Sequence, residues 1–297
     1  MSTGTEVVAA IEAGGTKFVC AVGRTWQEVR GSRKHVVPTG SPGDTIAAVA
    51  EWLAGQPLGR PAAVGVAAFG PLDLAHGRVG PTPKPGWAGF DWRRAVRRHL
   101  PDAVVAIDTD TNGAALAEWT WGAAQGLEVA VYVTVGTGIG GGVVIRGTPL
   151  HGLVHPEMGH MRIPHDPEDP FPGICPFHGD CLEGVASGPA VEARWGKRGD
   201  QLEPGHPAWE LESRYLAAAM ANLALVLSPQ AIVVGGGVMS VPGLLDAVRA
   251  RTRDLVAGYV ESELLGDGID RFLLPPGLGP DSGVLGAFAL ARRSLEL

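Results

Sequence analysis

Residues 129–146 read VAVYVTVGTGIGGGVVIR, and the fold turns on the element that comes after their glycines. Val129–Val135 is an apolar, β-branched run of strand length, which predicts a buried strand. Gly136-Thr137-Gly138-Ile139-Gly140-Gly141-Gly142 comes next, and Gly136, Gly138 and Gly141 match G-x-G-x-x-G. That spacing marks a dinucleotide-binding turn only where it leads into a helix, because the phosphates rest on the helix N-terminus. Here it leads into Val143-Val144-Ile145, whose β-branched side chains predict another strand. Strand, glycine turn, strand excludes a Rossmann site. No G-x4-G-K-[ST] sequence occurs either, so a Walker P-loop is absent. Any nucleotide site on this chain has to be built on hairpins.

The same unit occurs near the N-terminus. Residues 6–11, EVVAAI, predict a buried strand, Glu12-Ala13-Gly14-Gly15-Thr16-Lys17 a turn, and FVCAVG a second strand. The two copies, near 6–22 and 129–146, are an internal repeat. A third glycine turn, Gly235-Gly236-Gly237, comes after the strand predicted at Ala231–Val234. Glycine lets backbone N–H groups close on an anion, and Thr16, Thr134 and Thr137 add hydroxyls. One such turn is commonly a tight connection; three at strand ends point to phosphate binding.

Between the turns, strands and helices alternate. Asp44 is a candidate cap for a helix over 45–54. A strand spans 63–69, and 81–92 is a loop with three aromatics leading to a short basic helix that ends at His99. A strand at 104–107 runs into Asp108-Thr109-Asp110, and a helix starts near Thr111 and ends at Trp121. Helices are predicted at 208–227, 244–256 and 282–291, with a strand at 271–274. The alternation makes this an α/β protein.

Two regions carry chemistry. Asp110 lies where a strand meets a helix, a common position for a catalytic group, and could accept a hydroxyl proton. Asp108 is the rival base, and a helix N-cap is the plain alternative for Asp110. Further on, Cys175-x2-His178-x2-Cys181, with His160 upstream, offers four zinc-type ligands in a Pro- and Gly-rich segment without apolar periodicity. Metal ligation would fix the shape of such a segment. His151, His155 and His165 are alternatives to His160 as the fourth ligand. Glu157 and Glu183 flank the segment; carboxylates held there suit the hydroxyls of a polyol. Cys20, inside an apolar strand, reads as core.

The chain has 297 residues, enough for one large domain or two lobes, and a net charge of −7. No Lys/Arg-rich run argues for nucleic acid. No apolar run spans a membrane, and no signal peptide is evident. Three cysteines without an export signal predict a reducing cytoplasm.

Together these motifs resemble the ROK family of bacterial sugar kinases, and its fructokinase branch in particular. The family's D-x-G-G-T-K appears as Glu12–Lys17, and its N-D-x-N-x-A-x-x-x-E as Thr109–Glu118. Its second phosphate turn is Gly136–Gly142, its E-x-G-H is Glu157–His160, and its zinc motif with C-L-E is Cys175–Glu183. The adenosine turn is Gly235–Gly237. C-x2-H-x2-C stands where the related glucokinases carry an all-cysteine cluster.

The resemblance implies a two-lobed actin/hexokinase-like (ribonuclease H-like) fold. The small lobe would span 1–110 joined by the C-terminal helix 282–297, and the large lobe 111–281 with the zinc loop 155–183. It implies ATP with Mg²⁺ as donor, structural Zn²⁺ on His160, Cys175, His178 and Cys181, and a homodimer. Gly14, Gly15, Thr16, Lys17, Thr137, Gly138, Gly235, Gly236 and Gly237 would bind the nucleotide, and Glu12 would face Mg²⁺. Asp110 would be the base, with Thr109, Asp110, Glu157, His160 and Glu183 on the sugar. Glu12 stands where many members carry Asp, one methylene shorter. Thr109 stands where glucokinases carry Asn, which removes or alters one sugar contact and is compatible with fructose.

The implied reaction is phosphorylation of D-fructose to D-fructose 6-phosphate. Alternatives are glucose, mannose or an N-acetylhexosamine as substrate, or a non-catalytic sugar binder. A sugar-sensing repressor of the same family would need a helix-turn-helix before the first kinase strand, which here is expected by about residue 6.

Overall fold

The computed structural model describes residues 6–82 and 84–296; Pro83, in the loop expected at 81–92, lies outside the described residues. The chain forms two compact units. The first comprises the residues up to Gly122, Gly147–His155, and the residues from Pro280 on; the second comprises Ala123–Arg146 and Pro156–Gly279. A boundary after residue 110 would cut through the helix Asp110–Trp121 at its start.

In the first unit the expected N-terminal hairpin forms: Val8–Ala13 pairs antiparallel with Lys17–Gly23. His35–Pro38 extends it on one side, also antiparallel. On the other side Ala63–Ala68 and then Val104–Thr109 add in parallel. Every residue of Ala63–Ala68 is buried, as a strand covered on both faces requires. Cys20 is fully buried in this sheet, as the sequence predicts.

Helices Asp110–Trp121 and Ser282–Ser294 cross at a pair of glycines: a Cβ on Gly286 would run into the backbone of Gly113. That close approach ties the chain's last helix to the helix that begins at Asp110. The aromatics of the 81–92 segment are core rather than surface. Trp87 packs against Phe18 at 5.5 Å and edge-on to Phe90 at 4.8 Å between ring centroids, and Trp87 and Trp92 are fully buried.

The second unit repeats the plan. Val129–Val135 and Ile139–Ile145 form an antiparallel hairpin across the glycine turn, so the glycines lead into a strand and not a helix. Ala231–Gly235 adds in parallel beside Val129–Val135, and Leu273–Leu274 beside that. Helices Pro207–Leu227 and Leu244–Val256 belong to this unit.

Three local expectations need correction. Helix Pro42–Ala54 is capped by Ser41, whose Oγ accepts the Asp44 N–H at 3.3 Å, so Asp44 lies in the first turn. Pro42 at the first helical position explains the earlier start, since its missing N–H costs nothing there. Residues 269–272 form a helical turn, leaving only Leu273–Leu274 as strand, because just these two residues find partners at Ile232 and Val233. The last helix runs on to Ser294.

Candidate active site

The strand Val104–Thr109 delivers Asp108, Thr109 and Asp110 to the mouth of a helix. Thr109 is the cap: its Oγ1 accepts the Asn112 N–H at 3.0 Å, and it is 4% exposed. Asp110 is therefore not the cap but the first helical residue. It is partly exposed, and its Oδ1 accepts the Thr111 N–H at 2.8 Å. Asp108 is buried and committed. Its carboxylate accepts the Thr109 N–H at 2.8 Å, the Asn112 Nδ2 at 2.8 Å and the His151 Nε2 at 3.0 Å. Those bonds and its burial disfavour Asp108 as a base, which leaves Asp110 as the carboxylate at this strand end with access to a reactant.

Glu12, at the end of the Val8–Ala13 strand, lies against the N-terminal turn of helix Ser282–Ser294; a Cβ on Gly283 would run into its carboxylate. Burial, then the charge of Asp110, with Lys17 opposing and Asp281 adding, push the Glu12 carboxyl up to about 7. A cation at this position would relieve that repulsion, so the residues fit Mg²⁺. In the first glycine turn Gly14 N–H donates to the Lys17 carbonyl at 3.1 Å, while Thr16 and Lys17 stay exposed. Lys84 Nζ reaches the Gly15 carbonyl. Lys84 is a positive charge on a phosphate-type turn that sequence reasoning missed, because 69 residues separate it from Gly15.

In the second unit two glycine turns meet. Gly136 accepts the Gly188 N–H at 2.7 Å. Gly236 has φ +97°, and a Cβ there would run into the backbone of Val135. The backbone of Gly235–Gly237 is thereby laid against the end of the strand that leads into the Gly136 turn. Thr137 is exposed at its tip. Gly235 itself is a packing glycine, since a Cβ would come 2.7 Å from Pro276 Cγ. Glu183 is tied to the same turn: its Oε2 accepts the Ile139 N–H at 2.9 Å, and a Cβ on Gly138 would come 2.7 Å from that oxygen. Glu157 is exposed at the start of the 3-10 turn Met158–His160.

His160, Cys175, His178 and Cys181 converge, with one ligand atom of each within 4.8 Å of the others. His160 Nδ1 lies 3.7 Å from Cys175 Sγ and 3.6 Å from Cys181 Sγ, and His178 Nδ1 lies 3.6 Å from Cys175 Sγ. A tetrahedral ion with Zn–S of about 2.3 Å and Zn–N of about 2.0–2.1 Å has S···N edges of roughly 3.5–3.6 Å. The donors are thus spaced as zinc ligands, and the cysteines are not paired in a disulfide.

The loop is drawn tight by its own backbone: Cys175 and Gly179 exchange two hydrogen bonds, at 3.1 and 2.9 Å. The three rival histidines lie elsewhere. His151 is on Asp108, His155 Nε2 accepts the Leu72 N–H at 2.9 Å, and His165 Nε2 lies 3.0 Å from the Asp169 carbonyl.

Comparison with known proteins places the chain in a family. A fructokinase of Zymomonas mobilis is 42% identical over 306 residues, covering 98% of this chain and 98% of that protein. The crystal structure of a ROK hexokinase from Thermus thermophilus superimposes with a TM-score of 0.79 at 31% identity, covering 98% of this chain and 99% of that one. A ROK glucokinase from Streptomyces griseus, solved with glucose and AMPPNP, gives a TM-score of 0.76 at 26% identity, covering 97% and 99%. These structures carry the actin/hexokinase-like α/β fold, and so does this chain. The family model described as ROK family matches residues 8–294, and the chain belongs to the ROK family.

Proposed function

We propose that the chain is an ATP-dependent fructokinase: ATP and D-fructose give D-fructose 6-phosphate and ADP. The observation that carries the reading is the partly exposed Asp110 at the strand end, beside a buried Asp108 whose carboxylate already accepts three hydrogen bonds. The end-to-end match to a fructokinase supports fructose as the sugar.

In this reading the 6-hydroxyl oxygen attacks the γ-phosphorus, the bond to the β-γ bridging oxygen breaks, and ADP leaves. Asp110 accepts the hydroxyl proton as the new O–P bond forms. The turns at Gly14–Lys17, Thr137–Gly138 and Gly235–Gly237 hold the nucleotide through backbone N–H groups. Glu12 would face Mg²⁺, which when bound would offset the negative charge of the phosphates.

Glu157, His160 and Glu183 hold the sugar hydroxyls. Thr109 has its hydroxyl engaged in the helix cap, so it serves the site through the backbone it orders. His160, Cys175, His178 and Cys181 would hold Zn²⁺, which would fix the loop that carries Glu157 and Glu183. Nδ1 of His160 faces the thiols, which leaves Nε2 for the sugar. A homodimer and a cytoplasmic location complete the proposal. Among the described residues no helix is long and apolar enough to cross a membrane.

A coupled ADP-release assay over fructose, glucose, mannose and N-acetylmannosamine tests it. Fructose should have the highest kcat/KM; a clear preference for glucose would overturn the sugar assignment and leave the kinase assignment standing.

A further inference from the structure

The strand end that holds Asp110 carries another group. His151 reaches it from the segment Gly147–His155 of the same unit, with Nε2 3.0 Å from Asp108 Oδ2. The Asp108 side chain is 4% exposed and that of His151 41%. A buried carboxylate thus orients a half-exposed imidazole.

The proton on the ring can be assigned from its neighbours. Asn112 Nδ2 lies 3.3 Å from His151 Nε2 and 2.8 Å from Asp108 Oδ1. The amide nitrogen only donates, so a hydrogen on Nε2 cannot bond to it, whereas a hydrogen on Nε2 bonds well to a carboxylate. The contact with Asp108 is the shorter and is charge-assisted, so the hydrogen belongs on Nε2. The other nitrogen, Nδ1, is left open: among the described residues no hydrogen bond engages it. Neutral His151 therefore offers a lone pair at Nδ1, and protonated His151 an N–H. A sugar hydroxyl is both donor and acceptor and can bond to either.

The residue between Asp108 and Asp110 gives such a group a task. The resemblance marks position 109 as a sugar contact in glucokinases, and here that position is a threonine whose hydroxyl is buried in a helix cap. Thr109 spends its hydroxyl on the cap, and an oriented imidazole stands at the same strand end. Merely satisfying Asp108 would need neither the exposure of His151 nor its open nitrogen.

We propose that His151, held by Asp108, binds a substrate hydroxyl through Nδ1 and helps select the sugar. The inference rests on the reading of Asp110 as the base of a sugar kinase. It assigns His151 to substrate contact and Asp108 to positioning.

The test uses the full chain with His151→Ala, His151→Asn and Asp108→Asn beside wild type. Thermal melts select folded variants; His151→Asn keeps a donor for Asp108 should the alanine variant fail. Wild type is assayed first on fructose and on glucose, and whichever is turned over supplies a series of monodeoxy analogues.

The expected result has three parts. kcat/KM for the sugar falls roughly 10- to 100-fold, the range for a lost hydrogen bond to a polar group. KM for ATP stays within about twofold, since the contact is not made to nucleotide. One deoxy analogue that wild type penalises is no longer penalised by the variants, because the hydroxyl it lacks has lost its partner. Variants that keep every analogue penalty, or that weaken ATP and sugar alike, would overturn the proposal and reduce His151 to a partner for Asp108. A wild type that turns over neither sugar would refute the kinase reading, and this inference with it. A preference for glucose would leave the inference testable on the glucose series.

Discussion

Replacing Glu12 with glutamine should stabilise the protein strongly at pH 8 and by less than about 1 kcal/mol at pH 5. The Glu12 carboxyl is raised from 4.5 to about 7, chiefly by burial and then by Asp110. The folded state therefore holds the proton more tightly than the unfolded chain. Stability from the protonated form is fully present below about pH 4.5, falls as the pH rises, and is lost above about pH 7. At about 1.4 kcal/mol per unit, the shift makes the ionised carboxylate cost about 3 kcal/mol. The adjoining N-terminal turn of helix Ser282–Ser294 favours a carboxylate by roughly 0.3–1 kcal/mol, so about 2–3 kcal/mol remains.

Glutamine keeps the shape without the charge and should recover that amount at pH 8. The gain is on the order of 5–10 °C in melting temperature for a unit of this size. The assay is a pair of melting curves at pH 5 and pH 8 without divalent cations, then with Mg²⁺. Mg²⁺ should stabilise wild type at pH 8 and not the variant, and the variant should lose activity. Equal gains at both pH values, or destabilisation at pH 8, would refute the reasoning about the buried charge.

The remaining expectations concern the base, the second glycine turn and the metal loop. Asp110→Asn should lower kcat by roughly 10²–10⁴-fold with little change in sugar affinity by calorimetry; wild-type turnover would remove Asp110 as base. Gly138→Val should weaken sugar as well as ATP, because its Cβ would come 2.7 Å from Glu183 Oε2. The same substitution in a Glu183→Ala background should cost clearly less, and a fully additive loss would contradict the contact. Elemental analysis should find one zinc per chain, and Cys181→Ser should eliminate it, expose 161–183 to protease, and impair fructose binding more than ATP binding. A metal-free wild type with full activity would refute the zinc reading.

What could be read from the chain alone is local. Both hairpins close over turns a few residues long, and β-branched residues on either side of the glycines are enough to identify Val129–Val135 and Ile139–Ile145 as strands. The candidate metal ligands Cys175, His178 and Cys181 lie within seven residues, so one tight turn brings them together and their spacing already describes the cluster. Even locally, the limit is about one residue: Thr109 rather than Asp110 caps its helix, because the choice depends on which oxygen meets the Asn112 N–H.

Only the tertiary structure decides the long-range pairs. His151 meets Asp108 across 43 residues and Lys84 meets Gly15 across 69. The raised Glu12 carboxyl depends first on burial and then on Asp110 and Asp281, which reach it through parallel strand pairing and the packing of the last helix. No period or spacing in the sequence encodes these contacts. Periodicity reports how a segment repeats against itself, whereas the acidity and orientation of a side chain depend on whatever distant segment is packed over it.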